Sequence, residues 1–347
     1  MIIVNARFLT QQVTGVQRFA IEISKNLYKL LPGDLLFVTP PNIVHHELAN
    51  ELEAKVIGKN SGTVWEQIDL SAYLYSNKKP LLINFTNTGV IFYKNQIVTI
   101  HDMSYRVNPS WFSRSFYLWY NYLIPNLVKN SLRVLTVSNS SKSDIVKYLK
   151  TMPEKINVIY NSSYLNTNNN FEPIEKEKYI LTVSSLDPRK NLNNLVLAFN
   201  KIDPGFKLII VGVKNNNFNE GINTDLLNEN IILKGYQSDD ELGALMQYAG
   251  AFVYFSFYEG FGLPSIEAMK MGCPVIVSDI AAHREICANA ALFADPYDVE
   301  DIVKKITSVL SNDKLKLELK LAGYENVKRF DWLQSAQKVV KVINEVV

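Results

Sequence analysis

Glu259-Gly260-Phe261-Gly262-Leu263-Pro264-Ser265-Ile266-Glu267-Ala268-Met269 is the stretch on which the reading of the chain turns. It follows an apolar run, 251–255, that reads as a buried strand, and leads into a helix expected to end near Gly272. Two glycines fill the turn, where backbone must pass close to something or take positive φ. Pro264 suits the first helical position because it has no N–H to leave unpaired. The free N–H groups of Leu263, Ser265 and Ile266 would then point out of the helix start and form a site for an anion such as a diphosphate. Glu259 and Glu267 bracket the turn, and a carboxylate accepts hydrogen bonds from paired hydroxyls of a sugar or ribose. The pattern points to a nucleotide-linked, hydroxyl-rich ligand. It also fits a plain strand–turn–helix in which Glu267 favours its own helix dipole.

The 347 residues suffice for two domains. With 47% apolar and 20% charged residues the chain is globular, and a net charge of +2 gives no argument for nucleic acid. Cys273 and Cys287 form neither a disulfide framework nor a metal spacing, and fit a reducing compartment. The start, Met1-Ile2-Ile3-Val4-Asn5-Ala6-Arg7, carries no secretory pattern, and no run approaches the ~18–20 apolar residues of a spanning helix. The expected location is cytoplasmic, with peripheral membrane contact left open.

In the first half, 1–165, strands are expected at 2–4, 35–39, 81–85, 97–100 and 134–137. Helical stretches separate them, so the reading is α/β with a parallel sheet and crossover helices. Phe19, Ile23, Leu27 and Leu30 mark a helix beginning at Thr14-Gly15. There Thr14 serves as a plain N-cap, or Gly15 lets backbone approach a phosphate. His101, one of four histidines, ends a strand at the carboxyl edge where open α/β sheets bind ligands. It is a structural histidine, or a neutral imidazole that meets a hydroxyl. Trp111 to Tyr122 is dense in aromatics and flanked by Arg106, Arg114 and Lys129. It reads as a helix packed on the sheet, or as an amphipathic face meeting lipid. Ser138 is expected to cap a helix running to about Lys150.

The stretch from Asn161 to Lys178 reads as a flexible linker and opens a second half with the same plan. Strands are expected at 180–183, 208–211, 231–233, 251–255, 275–277 and 291–293, and Gly212 to Asn230 as an Asn-rich surface loop. Arg189-Lys190 after the first of these strands suits a diphosphate, the guanidinium as a planar fork and the ammonium as a point charge. The alternative is two solvated cations, although a helix start disfavours them. Asp239-Asp240, behind the Ser238/Glu241 capping box, reads as helix-start acid, not a metal site. The expected arrangement is 1–165 as one Rossmann-like domain, 166–330 as a second, and 331–347 as a helix returning to the first.

Glu259 to Glu267 with its Gly-Phe-Gly-Leu-Pro filling, followed by Cys273-Pro274-Val275-Ile276, resembles the Glu-x7-Glu motif of retaining glycosyltransferases of family 4. The resemblance extends over most of the chain, through Thr14-Gly15-Val16-Gln17-Arg18, His101-Asp102, Val137-Ser138 and Leu186-Asp187-Pro188-Arg189-Lys190-Asn191. It implies the GT-B fold, two Rossmann-like domains facing across a cleft. By this carry-over Glu267 holds ribose hydroxyls and Glu259 sugar hydroxyls. Backbone at Gly260, Phe261, Gly262 and Leu263 meets sugar or phosphate, Gly235 and Tyr236 hold the base, Gly15 lies by the diphosphate, and His101 contacts the sugar or acceptor. Arg189 and Lys190 are the phosphate pair, although Ser184-Ser185 stands where many members have Gly-Arg, so one phosphate arginine is absent. The resemblance implies a nucleotide-sugar donor, a saccharide or lipid-linked acceptor, no metal and no other cofactor. The motifs look most like bacterial surface-polysaccharide transferases, which favours GDP-mannose, with UDP-hexose or UDP-N-acetylhexosamine as the runner-up donor. A sugar-nucleotide epimerase and a non-catalytic binding scaffold remain alternatives. A dinucleotide oxidoreductase is disfavoured because no Gly-x-Gly-x-x-Gly follows either first strand.

Overall fold

Short aliphatic runs become parallel strands because both faces of each sheet are covered and alternation is not needed. The computed structural model describes residues 1–165, 178–202, 205–212 and 221–347. The first sheet contains β1 (Ile2–Asn5), β2 (Leu35–Thr39), β3 (Lys55–Val56), β4 (Leu81–Asn84), β5 (Gln96–Thr99), β6 (Arg133–Thr136) and β7 (Ile156–Val158). Its order is β3-β2-β1-β4-β5-β6-β7, and its pairings are parallel. The second sheet contains β8 (Tyr179–Val183), β9 (Lys207–Val211), β10 (Ile231–Gly235), β11 (Ala251–Tyr254), β12 (Val275–Ser278) and β13 (Leu292–Ala294), in the order β10-β9-β8-β11-β12-β13. Its pairings are parallel as well. In each sheet the strand order reverses beside the first strand, between β1 and β4 and between β8 and β11. Doubly wound sheets bind ligands at that place, beyond the strands' carboxyl ends.

The expected strands are present, and the structure adds β3 and β7 at the two edges of the first sheet. The two residues of β3 are both exposed, and β7 is three residues long, so neither carries an apolar run to read. Several expected strands ran one residue too far. Phe85, Ile100, Val137 and Phe255 lie past their strands yet are 0–2% exposed, so burial continues where the ladder stops.

Two compact units form. Residues Met1–Arg106, Leu118–Asn161 and Asp331–Val347 make one, and Val107–Tyr117 with Ser162–Phe330 make the other. The sequence division placed 107–117 in the first domain and its boundary at 165/166, whereas the contacts group 107–117 with the second unit and change units at Asn161/Ser162. The linker at 166–177 and part of the Asn-rich excursion, 213–220, lie outside the described residues.

Within the first unit, the helix Gly15–Leu30 packs on the last helix, Trp332–Asn344. Phe19 meets Trp332 edge-on at 6.2 Å, and the Ser335 hydroxyl donates to the Tyr160 carbonyl at 2.7 Å. Ile23 is fully buried on the same helix. The change Ile23→Ala leaves a cavity and should cost about 2–5 kcal/mol. A urea midpoint followed by tryptophan fluorescence should fall accordingly, and an unchanged midpoint would refute this packing.

Candidate active site

In the second unit, the loop after β8 and the loop after β11 meet at the reversal of strand order. Asp187 caps a one-turn 3₁₀ segment, Pro188–Lys190, by accepting the Arg189 N–H at 3.1 Å. The chain then passes through Asn191 at φ 57°, in the left-handed region, before the helix Leu192–Phe199. The Asn191 side chain holds this conformation by donating to the carbonyls of Phe255 at 3.0 Å and Pro296 at 2.7 Å. The Phe257 N–H donates to the Arg189 carbonyl at 2.9 Å and ties the two loops together.

This frame buries two cations against two carboxylates. Lys190, 8% exposed, donates from Nζ to Glu259 Oε1 at 2.7 Å and to the Tyr254 hydroxyl. Arg189 Nη1 stands 3.9 Å from Glu259 Oε2, and its Nε stands 3.7 Å from Asp187 Oδ1. Burial pushes the Glu259 carboxyl up, but the charges of Lys190 and Arg189 and the bond from Lys190 outweigh it and hold the pKa at about 2. Burial pushes Lys190 down, and Glu259 and Asp187 support its charge. The reading of Arg189-Lys190 as solvated cations is thereby excluded for Lys190.

The turn that opened the sequence reading is built as expected in outline and differs in detail. Gly262 caps the helix Leu263–Lys270 at φ 88°, so Pro264 is the second helical residue, not the first. The Ser265 N–H bonds the Gly262 carbonyl at 3.0 Å, so it does not point outward as expected. Glu267 falls beyond the first helical turn, in which no acidic residue stands. At 3% exposed it is a core carboxylate, not a solvated partner of the helix dipole. The helix ends at Lys270, with Gly272 at φ 74°.

His283 was not singled out in the sequence. It is fully buried in the helix Ala281–Cys287, and its ring lies 5.6 Å from that of Tyr254. Its Nδ1 is 3.1 Å from the Ser278 carbonyl and 3.0 Å from Ser278 Oγ, whose own proton goes to the Ser256 carbonyl at 2.6 Å. Both partners therefore accept, which fixes the proton on Nδ1 and leaves Nε2 as the acceptor. A Cβ added to Gly262 would come within 2.9 Å of this ring, so both its φ and its neighbour require glycine there. Burial lowers the His283 pKa to about 4, and the charge of Glu259 opposes that shift. A histidine 16 residues beyond Glu267 carries no motif that sequence reading could use.

The remaining candidates are distributed as follows. Gly235, at φ 67°, ends the edge strand β10, and Tyr236 beside it is 60% exposed. Gly15 and His101 belong to the first unit. Gly15 opens its helix behind Thr14, whose N–H and hydroxyl both donate to the Gln17 side chain. His101 donates from Nε2 to the Phe85 carbonyl at 2.9 Å, so Nδ1 is its free acceptor, and burial keeps it neutral by lowering its pKa. Ser238 and Glu241 form the expected capping box. In the aromatic segment Trp111 and Phe112 are buried, while Leu118 and Tyr122 are exposed. Among the described residues no helix is long and apolar enough to cross a membrane.

The family described as "Glycosyl transferases group 1" matches residues 166–326. The chain is 30% identical over 318 residues to the O-antigen chain mannosyltransferase RfbU of Salmonella typhimurium, covering 85% of this chain and 87% of that protein. It is 28% identical over 255 residues to the O-antigen chain mannosyltransferase B of Escherichia coli, covering 68% of this chain and 66% of that one. Among solved structures, Anabaena Alr3699/HepE in complex with UDP and glucose matches with a TM-score of 0.75 at 16% identity, over 99% of both chains. WaaG, a glycosyltransferase involved in lipopolysaccharide biosynthesis, matches with a TM-score of 0.72 at 15% identity, again over 99% of both. The chain belongs to the glycosyl transferases group 1 family. It is a glycosyltransferase, and its fold is GT-B.

The two buried titratable groups give separate pH signatures. Glu259, held at about 2, contributes stability that is complete above its unfolded pKa of about 4.5 and is lost as pH falls towards 2. Lys190→Met removes that contribution, so the stability gap to wild type should narrow between pH 5 and 3 in urea titrations (about the window the linkage sets). His283, lowered to about 4, is destabilising once the unfolded chain protonates, so stability falls from about pH 6.5 towards 4. His283→Gln should flatten the melting temperature across that window, and an unchanged slope would show that His283 titrates normally.

Proposed function

We propose that the protein transfers a hexosyl group from a nucleotide sugar to a saccharide or lipid-linked saccharide acceptor during assembly of a surface polysaccharide of the O-antigen or capsule type. Mannose from GDP-mannose is the leading donor, and the anomeric configuration is retained. The observation that carries this reading is the buried Arg189–Lys190–Glu259 cluster where the strand order reverses in the second sheet. Arg189 and Lys190 are desolvated cations whose position is fixed before any ligand arrives, as stabilisation of a leaving diphosphate requires. Glu259 is ionised and can only accept hydrogen bonds, which suits sugar hydroxyls. Glu267 would take the ribose hydroxyls, Gly260 to Leu263 would lay backbone against sugar and phosphate, and Gly235 and Tyr236 would meet the base. Gly15 and His101 would serve from the first unit, His101 through Nδ1 as an acceptor.

In the proposed step the bond from the anomeric carbon to the diphosphate oxygen breaks. The acceptor oxygen bonds that carbon on the same face, and the leaving phosphate oxygen takes the acceptor's proton. The reading calls on no metal or other cofactor. It places the enzyme in the cytoplasm, at the inner face of the cell membrane where its acceptor is lipid-linked.

The mannosyl preference is supported by the RfbU and mannosyltransferase B relatives. A UDP-sugar donor is the second reading. It is supported by 26% identity over 80% of this chain to an N-acetylgalactosaminyltransferase of Campylobacter jejuni, named for a diphospho-undecaprenol acceptor.

Thermal unfolding with GDP, UDP, ADP and dTDP discriminates these readings. A nucleotide held at a hundred times its dissociation constant adds about 2.7 kcal/mol. GDP should raise the melting temperature of wild type and not of Glu267→Ala. A response to UDP alone would transfer the proposal to a UDP-sugar, and no response to any nucleotide would remove the donor-site assignment. In turnover assays Lys190→Ala should lower kcat by roughly a hundredfold or more, the scale of losing one charge-stabilising donor. An undiminished kcat would take Lys190 out of the mechanism.

A further inference from the structure

Beneath the glycine turn of the second unit lie two buried polar atoms that take no part in the cation loop or its ion pairs. His283 Nε2 is an acceptor with no hydrogen-bond partner among the described residues. Ser265, fully buried near the start of the helix Leu263–Lys270, has a hydroxyl oxygen in the same condition. Buried polar atoms are normally paired, and each exception needs an explanation. The Cys287 thiol beside Ser265 does not supply one. Burial pushes its pKa up to about 12, so it stays a protonated, weak partner.

The two atoms face the same point. A Cβ on Gly262 would stand 3.0 Å from His283 Nε2 and 3.8 Å from Ser265 Oγ, so both border the space a side chain at 262 would fill. Their capacities are complementary. With its proton on Nδ1, beside Ser278, the imidazole can only accept through Nε2, and the Ser265 hydroxyl can donate. Burial keeps the ring neutral by lowering its pKa to about 4. Each partner is also anchored. The Ser265 N–H bonds the Gly262 carbonyl at 3.0 Å, and the imidazole lies 5.6 Å from the ring of Tyr254, whose hydroxyl accepts from Lys190. A bond between Ser265 and His283 would therefore tie the turn at Gly262 to the end of β12, close to the buried cations.

We infer that His283 is a positioning residue for the transfer and acts with Ser265: as the donor seats, the Ser265 hydroxyl donates to His283 Nε2 and pins the Gly262 turn against sugar and diphosphate. Both side chains are fully buried, so they act through the backbone of Gly260 to Leu263 and touch no substrate themselves. The two atoms stand unbonded in the structure, so the pair adds nothing to the fold as it stands. A bond closed only at the loaded site acts on the rate, because interactions gained on the way to the transition state raise kcat. A turn left free to shift would lose rate even with nucleotide bound, since a misplacement of about 1 Å costs on the order of a hundredfold. The inference rests on the donor-site reading of this turn and deepens it. It does not depend on which nucleotide or sugar is used.

The test combines nitrogen NMR of the histidine rings with donor turnover, on wild type, Ser265→Ala, His283→Phe and His283→Gln. The probes are GDP, UDP, GDP-mannose and UDP-N-acetylgalactosamine, and turnover is read as release of GDP or UDP without added acceptor. The His283 signal is assigned by its absence from His283→Gln. Ser265→Ala loses no bond made in the structure and should melt with wild type, so its effects are not those of misfolding. The His283 Nε2 resonance should move when a probe that raises the melting temperature saturates wild type, and stay still in Ser265→Ala. In Ser265→Ala and His283→Phe, kcat should fall roughly tenfold or more while the donor KM stays within about twofold, the pattern of an interaction made only in the transition state. His283→Gln, whose amide oxygen can stand in for Nε2, should keep at least about half of the wild-type kcat. The NMR readout decides alone if water is too poor an acceptor for release to be seen. A still His283 signal in a wild type whose melting temperature responds, or equal movement in Ser265→Ala, would overturn the pairing and leave the donor reading standing. So would an undiminished kcat in Ser265→Ala, or a His283→Gln no faster than His283→Phe. A wild type whose melting temperature responds to no probe would overturn the donor reading, and the pairing with it.

Discussion

A lysine ammonium and a glutamate carboxylate 2.7 Å apart, each less than a tenth exposed, are the constraint around which the second unit is arranged. Neither charge can be held out of water without the other. Keeping them together fixes the loop after β8 against the loop after β11. The left-handed Asn191, its two side-chain bonds and the Phe257-to-Arg189 backbone bond all serve that register. The Tyr254 hydroxyl takes a further Lys190 proton, and the tyrosine ring rests near His283, which stands against Gly262. A continuous chain of contacts thus runs from the cation loop to the glycine turn.

Much of this was legible in the sequence. The apolar runs gave the strands of both sheets because buried parallel strands are continuous in hydrophobicity. Arg189, Lys190 and Glu259 were singled out by residue type and loop position, and the structure brings the three together. Less visible was anything set by tertiary packing. The two-residue β3 is a polar edge that only its neighbour makes a strand. Asn191 reads as an ordinary polar residue until its φ is known. Glu267 appeared as a first-turn acid because Pro264 was placed one position too early in the helix. His283 carries no local pattern, since it matters through neighbours distant in sequence, Tyr254 and Gly262.

The two sheets solve related problems with different charge. Each reverses its strand order beside its first strand and sets a buried cation against a buried glutamate there. In the second sheet two cations converge on Glu259, and Asp187 takes part of the Arg189 charge. In the first sheet Glu66 is shared by a single arginine, Arg7, and two neutral side chains, Asn5 and Thr88. Two cations gathered at one loop suit a ligand that brings negative charge.

Buried ion pairs are poor stabilisers. Desolvating both groups costs about as much as their attraction returns, and well-packed apolar residues of similar volume often do as well or better. The Lys190–Glu259 pair is therefore weakly explained as a device for holding the fold. Under the proposed function it is charge placed in advance in a region of low dielectric, where it would act strongly on a leaving group and need no reorganisation as the bond breaks. The depression of the Glu259 pKa to about 2 is the thermodynamic trace of that arrangement, because it measures how firmly the neighbouring cations are committed before any ligand arrives. A diphosphate entering the site would compete with Glu259 for those cations. Glu259 would then be released towards sugar hydroxyls at the step that brings the phosphates into place, so donor docking and sugar orientation would be coupled through one carboxylate.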